Sequence, residues 1–198
     1  LQKRCYKMAF TLIELLIVIA VIVVLAGLIL TMIGYVQKKE ARARAETEIA
    51  AISAACESYK ADNGIYPANP DTNTLDARTK LDSSATVYSA ASLFLYEQLA
   101  GVTSASRSAI PSGKIYFTFK ANMLLPAPPS TAAITAIRDP FGNSYGYSTA
   151  GNPQANPTPA SSPVGYNPTF DLWSTSDPTP TPTASPTPTP QDRWIKNW

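Results

Sequence analysis

The sequence predicts an α+β fold in which a long N-terminal helix precedes a region of short strands. Three observations predict it. Leu15 to Met32 is a run of 18 residues without a charge. From Tyr35 to Tyr59 there is no proline, and apolar residues recur at helical spacing. Beyond Gly64 the pattern shifts to strand-like alternation and tight-turn residues, with Lys114–Lys120 and the Gly142-Asn143 pair as the clearest cases.

The helix comes first. An uncharged run of about 18 or more apolar residues is long enough for a transmembrane helix. In lipid the backbone must satisfy its own hydrogen bonds, so helix is expected despite the β-branched content. A secretory signal peptide is the alternative, but the run is longer than a signal core and no small-x-small site closes it. The helical pattern then continues without a break. Ile49, Ile52, Cys56 and Tyr59 form one apolar stripe. Glu40–Arg44, Arg42–Glu46 and Arg44–Glu48 are opposite charges four apart, each contributing about 0.2–0.5 kcal/mol on a helix. Asn63-Gly64 is the stop signal. One helix is therefore expected from about Phe10 to Asp62, roughly 80 Å at 1.5 Å per residue. Its first half, 10–34, is expected in the membrane and its second half, 35–63, to be amphipathic. Cys56 reads as a small buried hydrophobe.

The remaining region, 64–198, begins with Tyr66-Pro67, which leads the chain away extended. Asn69 to Ser84 is polar and reads as loop. Ala91 to Ala100 suggests a short helix ended by Gly101. Lys114 to Lys120 (KIYFTFK) alternates, with Ile115, Phe117 and Phe119 facing one way and Tyr116 and Thr118 the other, and is expected as a half-buried strand. Leu124 to Ser130 is broken by proline. Gly142-Asn143 marks a tight turn leading into a strand. In Ser174 to Pro190, 15 of 17 residues are Ser, Thr or Pro. That composition cannot pair in a sheet and favours an extended solvated loop.

Composition removes several functions. The 198 residues include no histidine, so His-based triads, bases and metal sites are excluded. Two cysteines, Cys5 and Cys56, are too few for a disulfide or zinc scaffold. The net charge of +2 arises in the first 34 residues, since 35–63 and 64–198 are each neutral. No nucleic-acid footprint follows from that, and no enzyme motif is present. Lys3, Arg4 and Lys7 precede the apolar run, and Lys38, Lys39, Arg42 and Arg44 follow it, so basic residues alone do not orient it. Glu14 is the one charge between Phe10 and Gly34. A carboxylate in such a segment is either tolerated at a boundary or meets a positive partner.

Lys7 to Leu16 (KMAFTLIELL) resembles the processing motif of the type IV pilin and type II secretion pseudopilin family. Four further segments resemble the major pseudopilins in order: Tyr59-Lys60-Ala61-Asp62-Asn63-Gly64-Ile65-Tyr66-Pro67, Asp139-Pro140-Phe141-Gly142-Asn143, Phe170-Asp171-Leu172-Trp173-Ser174, and the terminal Ile195-Lys196-Asn197-Trp198. The resemblance implies a leader, 1–9, cut between Ala9 and Phe10, with N-methylation of Phe10; Ala9 stands where the family has Gly. It implies that Glu14 neutralises the new amine of a neighbouring subunit during assembly. It marks Tyr59, Asn63, Gly64, Tyr66, Pro67, Asp139, Pro140, Gly142, Asn143, Asp171, Trp173 and Trp198 as structural motif residues. It places a small antiparallel sheet on the C-terminal half of the long helix.

The function implied is a structural subunit of a pseudopilus of a type II secretion system, a helical fibre that helps drive protein export. A type IV pilin or pilin-like surface fibre for adhesion is the alternative. The implied partners are other copies of the chain, a prepilin peptidase, an inner-membrane assembly platform, minor pseudopilins and the membrane. The implied location is a single pass of the inner membrane, with the N-terminus cytoplasmic and residues 64–198 periplasmic. Major pseudopilins hold calcium in an acidic loop. Here Asp171, Asp177 and Asp192 are the only acids nearby, and Trp194 takes the place of the family's acid, so no cofactor is expected and absence of calcium is favoured.

Overall fold

A computed structural model describes residues 11–79, 85–159, 164–176 and 194–198, with the side chains of 28–35 excepted. The chain divides into two compact units, Leu1–Glu40 and Ala41–Trp198. Helix α1, Leu12–Asn63, contributes to both. In the first unit its described side chains are exposed; those from Leu12 to Gly27 are apolar apart from Glu14, and Gln37 to Glu40 are polar or charged.

Among the described residues no helix is long and apolar enough to cross a membrane. This corrects the expected transmembrane half of the helix, and with it the single-pass location. The apolar stretch with described side chains, Leu12 to Gly27, falls short of the roughly 20 residues that span a bilayer. The rest of the expected run, Leu28 to Met32, lies outside the residues whose side chains are described.

In the second unit α1 is amphipathic. Ala45, Ile49, Ile52, Ala55 and Cys56 are buried in the main core, and the Cys56 thiol is free. Burial pushes that thiol up from its ordinary range. Two of the expected ion pairs form, Arg42–Glu46 at 3.2 Å on the exposed face and Arg44–Glu48 at 2.8 Å, where Glu48 is mostly buried and also accepts from Tyr145 Oη. The helix ends at Asn63. Gly64 follows at φ 78°, a left-handed position that glycine takes without steric cost, and its N–H closes on Lys60 O at 2.7 Å.

Helix α2, Pro70–Thr74, lies inside the stretch expected to be loop. The signal was local: Asn69 caps it, accepting from Thr72 N, while Thr72 Oγ1 accepts from Asn69 N, and Pro70 opens the helix. Helix α3, Thr86–Ala100, starts before the expected Ala91 and ends at Gly101. A 3-10 turn, Ala121–Met123, leads into β1, Leu124–Leu125, which pairs antiparallel with β2, Ala136–Ile137. Strands β3, Gly146–Ser148, β4, Asp171–Ser174, and β5, Ile195–Lys196, form a second antiparallel sheet in the order β3-β4-β5. Gly146 faces Trp173, and Ser174 faces Ile195.

The fold class needs two further corrections. There are two small sheets rather than one. Their main neighbour is α3, against which β2 and β3 lie; α1 joins the core through Ile49, Ile52 and Cys56 rather than serving as the platform. Lys114–Lys120 is also not a strand. Tyr116 N and Phe117 N both donate to Leu99 O, at 2.8 and 3.0 Å. The last carbonyls of a helix lack intrahelical donors, and here they take the N–H groups that a ladder would have used. Ile115, expected to share a face with Phe117 and Phe119, is 51% exposed while those two pack against the core, and Tyr116 packs on Tyr59 at 5.2 Å.

Candidate functional site

The expected cleavage residues, Ala9 and Phe10, lie outside the described residues, as do Cys5, Asp177, Asp192 and nearly all of the Thr/Pro loop. Glu14 is described. Its Oε2 accepts from Thr11 N at 2.9 Å and from Thr11 Oγ1 at 2.7 Å, and Glu14 N donates back to Thr11 Oγ1 at 3.4 Å. Thr11-Leu12-Ile13-Glu14 is therefore a capping box at the start of α1. The carboxylate also sits where the helix dipole favours negative charge. The sequence reading missed Thr11, although the T-x-x-E spacing before an apolar run was its signal.

The motif at the other end of α1 is a knot of hydrogen bonds around the helix stop. Asn63 Nδ2 donates to Tyr59 O at 2.8 Å and to Tyr116 Oη at 3.1 Å. Tyr59 Oη donates to Gln98 Oε1 at 3.0 Å. Tyr66 Oη donates to Glu57 Oε1 at 2.9 Å, and burial together with the Glu57 carboxylate pushes its pKa up to about 12. Pro67 O accepts from the buried Tyr147 Oη at 2.8 Å, tying the segment after the helix to β3. These residues hold the first turn of chain after the helix, which is a structural role.

Asp139 organises the second motif. Its Oδ1 accepts from Phe141 N at 3.0 Å and Asn143 N at 2.7 Å, fixing the Pro140–Asn143 turn with Gly142 at its tip. Its Oδ2 accepts from Ser174 Oγ at 2.5 Å, joining that turn to the end of β4. Burial outweighs the hydrogen bonds from Ser174, Asn143, Phe141 and Gly142 and pushes the Asp139 pKa up to about 6. A folded-state pKa above the ordinary value of 3.8 means that the folded chain binds this proton more tightly. The stabilisation is complete below about pH 4 and is lost as pH rises through 6. Burial raises Asp171 in the same direction. The melting temperature should therefore fall between pH 4 and pH 7, and Asp139→Asn should flatten that fall. A wild-type slope in the variant would show that other groups set the pH response.

The third motif surrounds the loop before β4. Asp171 Oδ2 accepts from Tyr166 N at 2.8 Å and Oδ1 from Asn167 N at 2.9 Å. Asp76 Oδ1 accepts from Gly165 N at 3.2 Å and from Arg78 N at 2.9 Å. Arg78 donates its Nε to Gly165 O and lies over the Tyr166 ring, 4.4 Å from its centroid. Tyr166 stacks on Trp198 at 4.7 Å, and Trp198 meets the fully buried Trp173 edge-on at 5.8 Å. Asp76 and Arg78 were not singled out from the sequence, because nothing local says that they meet residue 165.

No family model, curated protein or solved structure matches the chain.

The chemistry available at these clusters is that of holding, not of reaction. Asp139 and Asp171 spend their oxygens on backbone N–H groups and a hydroxyl. Asp76 and Asp171 share their surroundings with the Arg78 guanidinium, which does not fit a hard divalent cation needing six to eight oxygens. Among the described residues no group of three or more acidic or thiol side chains is placed to hold a metal.

Proposed function

We propose that this chain is a structural subunit of the pseudopilus of a type II protein secretion system, and that copies of it polymerise into a helical fibre. The supporting observation is the bare apolar surface of α1. Leu12 is 82% exposed and Ile13 66%, and the large side chains from Leu15 to Leu25 are all more than half exposed. A continuous apolar surface of this kind marks an interaction site. Side-by-side packing of these segments in a fibre covers it. The partners in this reading are the other copies, the peptidase that releases Phe10, the assembly platform and minor pseudopilins.

Glu14 then has two separable roles. Its capping role is internal to the chain. Its assembly role is to neutralise the Phe10 amine of a neighbour, which sets the register between subunits. Glu14→Gln separates them, because Gln serves in a capping box as Glu does but carries no charge. Glu14→Leu removes both. With the assembly machinery present, both variants should yield fewer fibres by electron microscopy, by about tenfold or more, because an unpaired buried amine recurs at each subunit added. Wild-type fibre numbers from Glu14→Gln would reduce Glu14 to a helix cap. Absence of fibres from the wild-type chain would end the subunit reading itself.

A further inference from the structure

Within Ala41–Trp198 nearly every charged side chain among the described residues has a partner. Arg42 and Arg44 pair along α1, and Lys114 bonds Asp62. Glu57 and Lys60 engage Tyr66, and Arg107 bonds the carbonyls of Ala132 and Pro126. Arg138 reaches Asn122 O, and Lys196 lies over Trp198. Glu97 and Lys120 are the two described exceptions.

Their settings are complementary. Glu97 is half-buried on α3 and lines a cleft of about 260 Å³ together with Tyr59, Gln98, Tyr116 and Lys114, whose ammonium is paired with Asp62. Desolvation alone raises its pKa, with no neighbouring charge or hydrogen bond to offset it. With Lys114 taken up by Asp62, the Glu97 carboxylate is left to the ammonium or guanidinium of an incoming side chain. Lys120 is exposed and lines a second groove of about 490 Å³ with Arg44, Thr47, Phe117, Met123 and Glu48, whose carboxylate is taken up by Arg44 and Tyr145. The two settings stand at different levels of α1. One borders Tyr59 and Asn63, the other Arg44, Thr47 and Ala51. At 1.5 Å per residue they are separated by roughly 20 Å along the helix.

Resting on the fibre reading above, we propose that the Glu97 cleft receives Lys120 of a second copy of this chain, displaced along the helix axis. The two halves of the contact are different surfaces, so each copy keeps one of each kind free. Head-to-tail contacts of that type propagate into helical filaments rather than stopping at a dimer. Charge complementarity at such a contact fixes register and excludes wrong pairings.

Charge exchange in the full chain tests this. Glu97→Lys and Lys120→Glu should each lower fibre numbers by about tenfold, because like charges then face each other, and the double variant should restore them to within about twofold. Far-UV circular-dichroism spectra of the three variants should match wild type, since neither side chain makes a hydrogen bond or ion pair within the fold. Where a reversal disturbs folding, Glu97→Gln and Lys120→Gln replace it, with a smaller loss expected. Independently, cysteines in place of Thr103 in the Glu97 cleft and Thr118 in the Lys120 groove of one chain, joined by a bis-maleimide, should give a ladder of dimers, trimers and longer species, and a mixture of the two single cysteine variants should stop at dimers. Wild-type fibre counts from both single variants, failure of the double variant to recover, or fibres without a ladder would overturn the contact while leaving the fibre reading in place. A ladder without fibres would uphold the contact between copies and remove the fibre reading. Neither fibres nor ladder would remove both.

Discussion

Trp173→Ala should lower the melting temperature of the Ala41–Trp198 unit by more than any other single truncation there. Trp173 is fully buried. Its ring stacks on Trp194 at 5.6 Å, meets Tyr88 edge-on at 5.6 Å and Trp198 at 5.8 Å, and its Nε1 donates to Tyr88 Oη at 3.2 Å. Truncation empties the centre of the cluster that also includes Leu75, Ala77 and Ala91. Burying a tryptophan and then deleting it to alanine costs about 3–5 kcal/mol. At roughly 2–4 °C per kcal/mol for a chain of this size, the melting temperature should drop by about 10 °C or more. Trp173→Phe should recover a good part of it by keeping a ring, though without the donor to Tyr88. Far-UV circular dichroism measures both. A drop of only two or three degrees for the alanine variant would mean that the Trp194 and Trp198 rings close over the space.

Gly146→Ala should be nearly as damaging, for a reason that lies in β4 rather than in its own strand. A Cβ placed on Gly146 would stand 2.2 Å from Trp173 Cε2 and 2.4 Å from Cζ2. Real carbon atoms do not approach so closely, and the indole is wedged on its other faces. Overpacking a filled core costs about 1–3 kcal/mol and more when the obstructing group cannot move. The β3–β4 register, Gly146 opposite Trp173, should be lost or displaced. The test is a double-mutant cycle. In the Trp173→Ala background the same alanine at 146 has room, so its cost should nearly vanish, a coupling of the kind seen for residues in direct contact. Equal costs in both backgrounds would place the penalty in the backbone of Gly146 instead of in the Trp173 ring.

These two positions show where sequence reading stops. Trp173 belonged to a recognisable FDLWS segment, and a strand there was expected from resemblance. That its ring needs a residue without a side chain at 146 is a fact about two strands meeting. Asp139 reads locally as a turn carboxylate, and Phe141 N and Asn143 N confirm it. Its bond to Ser174, 35 residues away, has no local sign. The Asp76–Gly165 and Arg78–Tyr166 contacts are of the same kind. Thr11 and the short α2 helix are a different case: their capping signals, Thr11 with Glu14 and Asn69 with Thr72, lie within four residues of sequence.

What the sequence by itself determined is the chemistry that acts over a few residues. The end of α1 at Asn63-Gly64, the Ile49–Ile52–Cys56 stripe and the Gly142-Asn143 turn all follow from backbone geometry and side-chain spacing within one or two turns of chain. Tertiary structure decided the rest. The alternating Lys114–Lys120 segment had every local mark of a strand, yet its N–H groups go to Leu99 O at the end of α3. The small sheets lie on α3, and α1 supplies only a stripe of core side chains. The physical reason is common to both: a backbone donor or a buried side chain is satisfied by whichever partner the fold brings near, and no spacing within the segment says which one that is.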